Sequence, residues 1–202
     1  MQTELRYNPT DNEGELLDVT ELLIDKIDFE LGQILIVSDG KSLCALDFAG
    51  YEPRMMKLLE KRYGRVQLIV KPNPQGLSER IRAYLRGDFS SIGDIPVNTG
   101  GTPFQQQVWL ALRTILPGTL MSYGKLAETV GRPTAHRAVG MTNSLNPIAI
   151  VLPCHRVVGA NGSLTGFAGG LERKRWLLQH EGVMATVPQV VPNNCEAIAV
   201  GR

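Results

Sequence analysis

Residues 148–158, Ile-Ala-Ile-Val-Leu-Pro-Cys-His-Arg-Val-Val, constrain the fold more than any other stretch of the chain. The first five form an uninterrupted apolar run, which we expect to be buried as a strand or as an extended core segment. Pro153 disfavours a helical lead-in, because the residue before a proline avoids the αR region and proline has no N–H to donate. We therefore expect Cys154 to leave the core on a stiff, extended backbone.

Cys154 and His155 form a candidate pair of nucleophile and activator. The thiolate is the reactive form of cysteine, and a neighbouring histidine can take or share the thiol proton. Most free cysteines, however, are simply small buried hydrophobic residues. The pair taken alone favours that second interpretation, so the surrounding sequence has to decide.

The surrounding sequence favours chemistry at Cys154. Residues 153–157, Pro-Cys-His-Arg-Val, resemble the active-site signature of the O6-alkylguanine-DNA alkyltransferases, the suicide DNA-repair proteins. Further segments resemble that family in its order and spacing: Phe-Gln-Gln-Gln-Val-Trp (104–109), Ser-Tyr-Gly-Lys-Leu-Ala (122–127), Arg-Ala-Val-Gly (137–140), Asn-Pro (146–147), Gly-Phe-Ala-Gly-Gly (166–170) and Trp-Leu-Leu-Gln-His-Glu-Gly (176–182). The resemblance is dense over residues 104–182 and loose in the amino-terminal half.

The resemblance implies a mixed α/β (α+β) fold. A small amino-terminal sheet-plus-helix domain of ribonuclease H-like type would precede a mostly helical, winged helix-turn-helix-like domain. Hydrophobic patterns and turn residues agree with this division. They predict a flexible lead at 1–22, an α/β domain at 23–96, a linker at 97–103 and a disordered tail at 183–202, and the resemblance identifies 104–182 as a helix-turn-helix alkyltransferase domain. We expect no chemistry in the amino-terminal half.

Residues 122–130 and 135–143 are predicted to be two short helices joined by a tight turn containing Gly131, an arrangement typical of a helix-turn-helix. In this family the second helix enters the minor groove, which carries little sequence information and therefore suits a protein that must search any sequence. By resemblance, Arg137 takes the place of the extruded nucleotide in the base stack, and small Ala135 permits close approach to DNA. The predicted DNA contacts are Thr134, Ala135, His136, Arg137, Tyr123 and Arg156.

The resemblance also implies catalytic roles for five residues. Cys154 would accept the alkyl group, and Glu181 would orient His155, which draws the thiol proton through water. Tyr123 would donate a hydrogen bond to the flipped base. Asn146 would hold the turn that ties the recognition helix to the active site.

Residues 164–170 form a glycine-rich segment that, by resemblance, lines the alkyl pocket. The predicted pocket residues are Val157, Phe167, Ala168 and Gly169. The family usually has Tyr-Ser or Tyr-Arg where this chain has Phe167-Ala168, so two side-chain donors are missing. Backbone N–H groups must then provide more of the contacts to the O6 atom.

The charge is divided unevenly between the two halves. Residues 1–103 carry 12 basic and 16 acidic side chains (−4), whereas residues 104–182 carry 8 basic and 3 acidic ones (+5). A basic motif-bearing half fits a polyanionic partner, and the resemblance specifies double-stranded DNA containing O6-alkylguanine. We expect a monomer that needs no cofactor or metal, since no Cys/His group has ligand spacing.

The apolar segments and the cysteines bear on location. No apolar run approaches membrane-spanning length, and the polar, acidic start is unlike a signal peptide. Three widely spaced cysteines, Cys44, Cys154 and Cys195, are typical of free thiols in a reducing cytoplasm.

Two other classes of function compete with alkyl transfer. A cysteine hydrolase could use the same Cys-His-Glu set, although neighbouring residues on an extended segment point to opposite sides. A helix-turn-helix regulator, or a non-catalytic sensor of alkylated bases, would bind DNA without chemistry. Such sensors lack the cysteine that this chain has at position 154.

Overall fold

The computed structural model describes residues 19–183, and its amino-terminal half is built on a four-stranded sheet. The strands β1 (Thr20–Phe29), β2 (Gly32–Ser38), β3 (Leu43–Phe48) and β4 (Val66–Val70) lie in the order β3-β2-β1-β4. The pairs β1/β2 and β2/β3 are antiparallel, whereas β4 runs parallel to β1. Helix α1 (Glu52–Tyr63), which ends at Gly64, makes the crossover to β4.

The middle of this sheet is buried on both faces, which explains why β2 and β3 are almost continuously apolar. Leu35 and Val37 pack with the α1 side chains in one hydrophobic cluster. Ile34 and Ile36, which point to the other face, belong to a larger cluster shared with the carboxy-terminal half. The sheet therefore separates two cores, and the second core joins the halves of the chain.

Helices dominate the rest of the chain. The helix α2 (Leu77–Leu85) still belongs to the amino-terminal half, and α3 (Pro103–Leu112) opens the second half with a capping box between Thr102 and Gln105. The helices α4 (Tyr123–Thr129) and α5 (His136–Ser144) form the helix-turn-helix pair, and α6 (Leu171–His180) comes last. Two short strands, β5 (Met121–Ser122) before α4 and β6 (Val157–Val158) between α5 and α6, pair with each other in parallel.

The free edge of β3 connects the two halves. Leu46 pairs with Ile148 and Leu43 pairs with Val97 through isolated bridges. Arg54 of α1 forms an ion pair with the buried Asp47 and donates to the Asn146 carbonyl at 2.8 Å. The segment that leads to Cys154 is thus anchored on the sheet edge.

The mixed α/β fold predicted from the sequence is confirmed. The strand β1 begins at Thr20, so the last three residues of the predicted lead 1–22 are strand, because they pair with β4. Residues 1–18 and 184–202, which hold the rest of the predicted lead and tail, lie outside the described residues. Within residues 19–183, no helix is long and apolar enough to cross a membrane.

Candidate active site

The apolar run before Cys154 is buried, but it is neither a strand nor an extended segment. Only its first residues pair with β3. The backbone then coils, with the Leu152 N–H donating to the Ile148 carbonyl at 3.0 Å and Ile150 at a φ of +68°. Such a φ is strained for a β-branched residue. The expectation of an extended approach to Cys154 is therefore wrong.

Asn146 explains why this run turns. Its side-chain amide donates to the Leu152 carbonyl at 2.7 Å, and its side-chain oxygen accepts from the Ile148 N–H at 3.0 Å. One buried side chain thus satisfies both ends of the turn, replacing bonds that a strand would have made with a neighbour. Asn146 follows closely after α5, so these bonds hold the turn between that helix and Cys154.

Cys154 opens a short 3-10 helix, Cys154–Arg156, that follows Pro153. The thiol is nearly fully buried, and burial raises the pKa of Cys154, although the Asn146 amide and the Lys174 ammonium oppose that effect. A thiol in this state is mostly protonated at neutral pH. It therefore needs a base in order to react as a thiolate.

His155 is held by Glu181, as the sequence predicted. The Nε2 atom of His155 lies 2.9 Å from Oε1 of Glu181, and both side chains are completely buried. An ionised carboxylate can only accept, so Nε2 carries a proton and Nδ1 is left as a bare acceptor in the neutral ring. Nδ1 is buried and has no partner among residues 19–183. Burial lowers the pKa of His155, which keeps the imidazole neutral.

Glu181 accepts hydrogen bonds from Arg156 and Tyr84 as well as from His155. Arg156 donates from Nε to Oε2 and from Nη2 to Oε1, both at 2.8 Å, and the Tyr84 hydroxyl donates to Oε1 at 2.6 Å. Burial opposes the charge on Glu181, but the bonds from His155 and Arg156 outweigh it and hold the pKa of the carboxyl well below its usual range. The carboxylate is therefore ionised at any working pH.

Arg156 was predicted to contact DNA, and that prediction is wrong. Its side chain is only 6% exposed and is fully engaged by Glu181 and by the Ile115 carbonyl. The sequence placed it beside Cys154 but could not show that the 3-10 turn directs it inward. Its role is to fix and neutralise Glu181.

Lys174 is a site residue that the sequence analysis missed. Its ammonium is buried and donates to the Val157 carbonyl at 2.6 Å and to the Thr165 carbonyl at 2.8 Å. Burial lowers the pKa of Lys174 to about 8, and the charge of the ammonium favours a thiolate at Cys154. Helical spacing offered a signal, since position 174 shares a face with Leu171, Leu177 and Leu178.

The predicted pocket residues lie on β6 and on the segment before α6, and two of them pack against Phe48 of the sheet. Val157 is buried on β6, and the ring of Phe167 packs edge-on against Phe48 with centroids 6.0 Å apart. Ala168 is half-buried beside it. A Cβ atom on Gly169 would lie 2.5 Å from the Phe48 ring, so glycine is required for this close approach. The amino-terminal sheet therefore supports the segment that carries Phe167 and Gly169.

Four of the six predicted DNA-contacting residues lie at the start of α5 and in the turn before it. Thr134, His136 and Arg137 are exposed and Ala135 is half-buried. Tyr123, the first residue of α4, packs its ring against Gly140 of α5, 3.7 Å from the position that a Cβ there would take. The exposed face and the tyrosine thus belong to one rigid helix pair.

A cavity of about 670 Å³ opens elsewhere, between α1 and α3. It is lined by Cys44 and Trp109 among others, but by neither Cys154, His155 nor Glu181. No cluster of potential metal ligands occurs in the part of the chain that the structure describes. The chemistry of the described residues is therefore concentrated around Cys154.

A buried thiol with a histidine and a carboxylate, set behind a helix-turn-helix, defines a thiol-dependent group-transfer protein built on a nucleic-acid-binding fold. Residues 22–99 match the ribonuclease-like domain of 6-O-methylguanine DNA methyltransferase, and residues 103–183 match its DNA binding domain. The chain therefore belongs to the 6-O-methylguanine DNA methyltransferase family.

Relatives and solved structures agree with this assignment. A methylated-DNA–protein-cysteine methyltransferase of Shigella flexneri is 49% identical over 166 residues, which cover 81% of this chain and 97% of the relative. The Mycobacterium tuberculosis O6-methylguanine methyltransferase superposes with a TM-score of 0.66 at 37% identity, over 81% of this chain and 94% of that one. The same organism's OGT in complex with DNA gives a TM-score of 0.64 at 36% identity, over 80% and 92%.

These findings confirm the resemblance found in the sequence and the activity it implied. The chain is an enzyme of DNA repair that acts by alkyl transfer.

Proposed function

We propose that the protein takes the alkyl group from O6-alkylguanine, and also from O4-alkylthymine, in double-stranded DNA and transfers it irreversibly to Cys154. The observation that carries this proposal is the buried Nδ1 of His155, which has no partner among residues 19–183, on the residue that directly follows Cys154, with Nε2 bonded to Glu181. A histidine held in that tautomer is a base that lacks only its proton donor.

His155 would remove the thiol proton through one intervening water, because the two side chains follow each other on a 3-10 turn and do not face each other directly. Glu181 stabilises the resulting imidazolium, and the Lys174 ammonium stabilises the thiolate. The ion pair thus forms in surroundings already arranged for both charges.

The transfer itself is an in-line displacement at the alkyl carbon. The sulfur–carbon bond forms as the carbon–oxygen bond breaks, and the electron pair of the broken bond stays on guanine. Tyr123 donates a hydrogen bond to the base, and the proton taken from Cys154 finally neutralises guanine. The thioether has no good leaving group, so each molecule acts once, and the reaction needs no cofactor because the protein is itself the acceptor.

The base must leave the helix to reach a buried thiol. Flipping costs a few kcal/mol, and less where alkylation has weakened the pair. We infer that α5 enters the minor groove, with Arg137 filling the gap and Thr134, Ala135 and His136 contacting the backbone. The exposed start of α5 and the DNA complex of the M. tuberculosis OGT support this docking.

The pocket wall determines what the flipped base contacts. Phe167 and Ala168 provide no side-chain donors, so backbone N–H groups of the segment that includes Gly169 would contact O6, and Val157 would line the alkyl group. Asn146 would keep this pocket in register with α5 through its bonds across the turn.

We further propose that the protein acts as a monomer in the cytoplasm, where its free thiols Cys44 and Cys154 remain reduced. A sensor without chemistry is not favoured, since Cys154 and its base are both present.

The test is intact-mass analysis after incubation with duplex DNA containing O6-methylguanine. We expect one methyl adduct per polypeptide, mapping to Cys154 and absent from Cys154→Ser. The Cys44→Ser variant is the matched control and should accept the methyl group normally. DNA binding without an adduct, or clearance of many lesions per molecule, would contradict the proposal.

A further inference from the structure

Tyr84 brings the amino-terminal half of the chain into contact with the catalytic carboxylate. It lies on α2, is fully buried, and donates from its hydroxyl to Oε1 of Glu181 at 2.6 Å. Its ring packs edge-on against Phe89 and His180, with centroids 5.6 Å away in each case. Its backbone carbonyl lies 2.8 Å from Nε2 of His180. The end of α2 is thus locked onto the end of α6, where Glu181 is located.

The Tyr84 hydroxyl is a permanent donor to Glu181. Burial, followed by the negative charge of Glu181, raises the pKa of Tyr84 well above its ordinary value. The hydroxyl therefore keeps its proton throughout the pH range in which the protein works. Of the three side chains that donate to Glu181, Tyr84 is the one that stays uncharged throughout the reaction. Arg156 carries a full charge from the start, and His155 gains one when it takes a proton.

We propose that Tyr84 is a positioning residue for alkyl transfer: its hydroxyl fixes the Glu181 carboxylate and takes up part of its charge, and so sets the basicity of His155. This inference rests on the proposed function, in which His155 is the base. It assigns a part in the reaction to the half of the chain in which the sequence indicated no chemistry.

The direction of the effect follows from the charges around His155. Glu181 favours the imidazolium, whereas Arg156 and Lys174 oppose it. Cys154 precedes the ring in the chain, and His180 lies behind Tyr84. Without the Tyr84 hydroxyl, the undiminished charge of Glu181 would stabilise the imidazolium that forms when Nδ1 takes a proton. His155 would then become protonated at a higher pH and would be lost as a base earlier as the pH falls.

The experiment compares Tyr84→Phe with the parent in single-turnover methyl transfer between mildly acidic and mildly alkaline pH. We expect the acidic limb of the Tyr84→Phe profile to move to higher pH, with a rate about threefold to tenfold lower on that limb and a plateau close to that of the parent. Tyr63→Phe is the matched control, because the Tyr63 hydroxyl forms hydrogen bonds with Cys44 and Asn98 and none with Glu181. It should reproduce the parent profile.

A double-mutant cycle separates positioning from plain stability. If Tyr84 acts through Glu181, Tyr84→Phe should change the rate little in a Glu181→Gln background, where the carboxylate charge is gone. Equal losses in both backgrounds, or a uniform loss at every pH that follows a lowered melting temperature, would overturn the inference. So would a Tyr84→Phe profile that superimposes on that of the parent. An inactive parent without a Cys154 adduct would instead overturn the proposed function.

Discussion

The ion pair between Arg156 and Glu181 leads to a specific prediction, because the sequence assigned this arginine to DNA and the structure assigns it to the core. We consider Arg156→Met, which replaces the apolar stem of the side chain but removes its guanidinium group and charge. In the structure this change deletes two charge-assisted hydrogen bonds of 2.8 Å to Glu181 and one to the Ile115 carbonyl.

The expected cost is large, since the carboxylate that remains is completely buried. Removing one partner of a buried ion pair typically costs about 3–5 kcal/mol, mainly because the other charge is left uncompensated. That loss is a substantial part of a total stability of about 5–15 kcal/mol. For a chain of this size it corresponds to a melting temperature lower by about 6–20 °C.

The assay is urea denaturation together with binding of undamaged duplex DNA, and Arg137→Met serves as the control. Arg137 is exposed at the start of α5, so its loss should change the free energy of unfolding by less than about 0.5 kcal/mol. It should weaken DNA binding, whereas folded Arg156→Met should bind undamaged DNA like the parent. The reverse pattern, an unchanged stability and a weakened DNA affinity for Arg156→Met, would refute the buried ion pair.

Three further predictions concern the surroundings of Cys154. Burial lowers the pKa of Lys174 from 10.5 to about 8, so the unfolded state binds more protons than the folded state between these two pH values. The free energy of unfolding should therefore rise with pH across that window, by about 3 kcal/mol. Urea denaturation at about pH 7 and about pH 10 should show this rise for the parent and not for Lys174→Met. Gly169→Ala should cost about 1–3 kcal/mol of stability and slow transfer of large alkyl groups most, whereas Gly166→Ala, whose Cβ meets nothing within 4 Å, should be nearly neutral in both assays. Asn146→Ala removes two buried hydrogen bonds; it should cost about 2–4 kcal/mol and lower the single-turnover rate more than the affinity for undamaged DNA, and a rate equal to that of the parent would contradict its supporting role.

Local signals in the sequence were sufficient for most of the secondary structure. The helix α3, Pro103–Leu112, begins where Thr102 and Pro103 provide a cap and a first turn, a signal that the sequence itself contains. The two short helices around Gly131 occur as α4 and α5. These elements are specified by neighbours in the chain, so their patterns survive in the fold.

The run before Cys154 shows where local patterns fail. Five apolar residues specify burial, but the choice between a strand and a coil depends on which groups satisfy their backbone. Here the side chain of Asn146 spans the turn and accepts and donates the bonds that a second strand would have supplied. An asparagine before a proline indicates a turn, yet it does not show how far that turn extends.

The contacts between the two halves of the chain could not be predicted from the sequence for a related reason. Tyr84 shares the buried face of α2 with Leu77 and Ile81, a spacing that is typical of a core residue and indicates nothing more. Its partner Glu181 lies 97 residues further along the chain. Nothing in a single sequence connects two such positions.

Glu181 shows why stability and chemistry cannot be separated at this site. Its charge is buried, and Arg156 provides the full positive charge that makes this burial tolerable. The same carboxylate sets the tautomer of His155, which is the base in the proposed transfer to Cys154. A replacement for Arg156 that restored stability by also neutralising Glu181 would therefore remove the partner of the base. The core of this protein is constrained by the reaction as much as by packing.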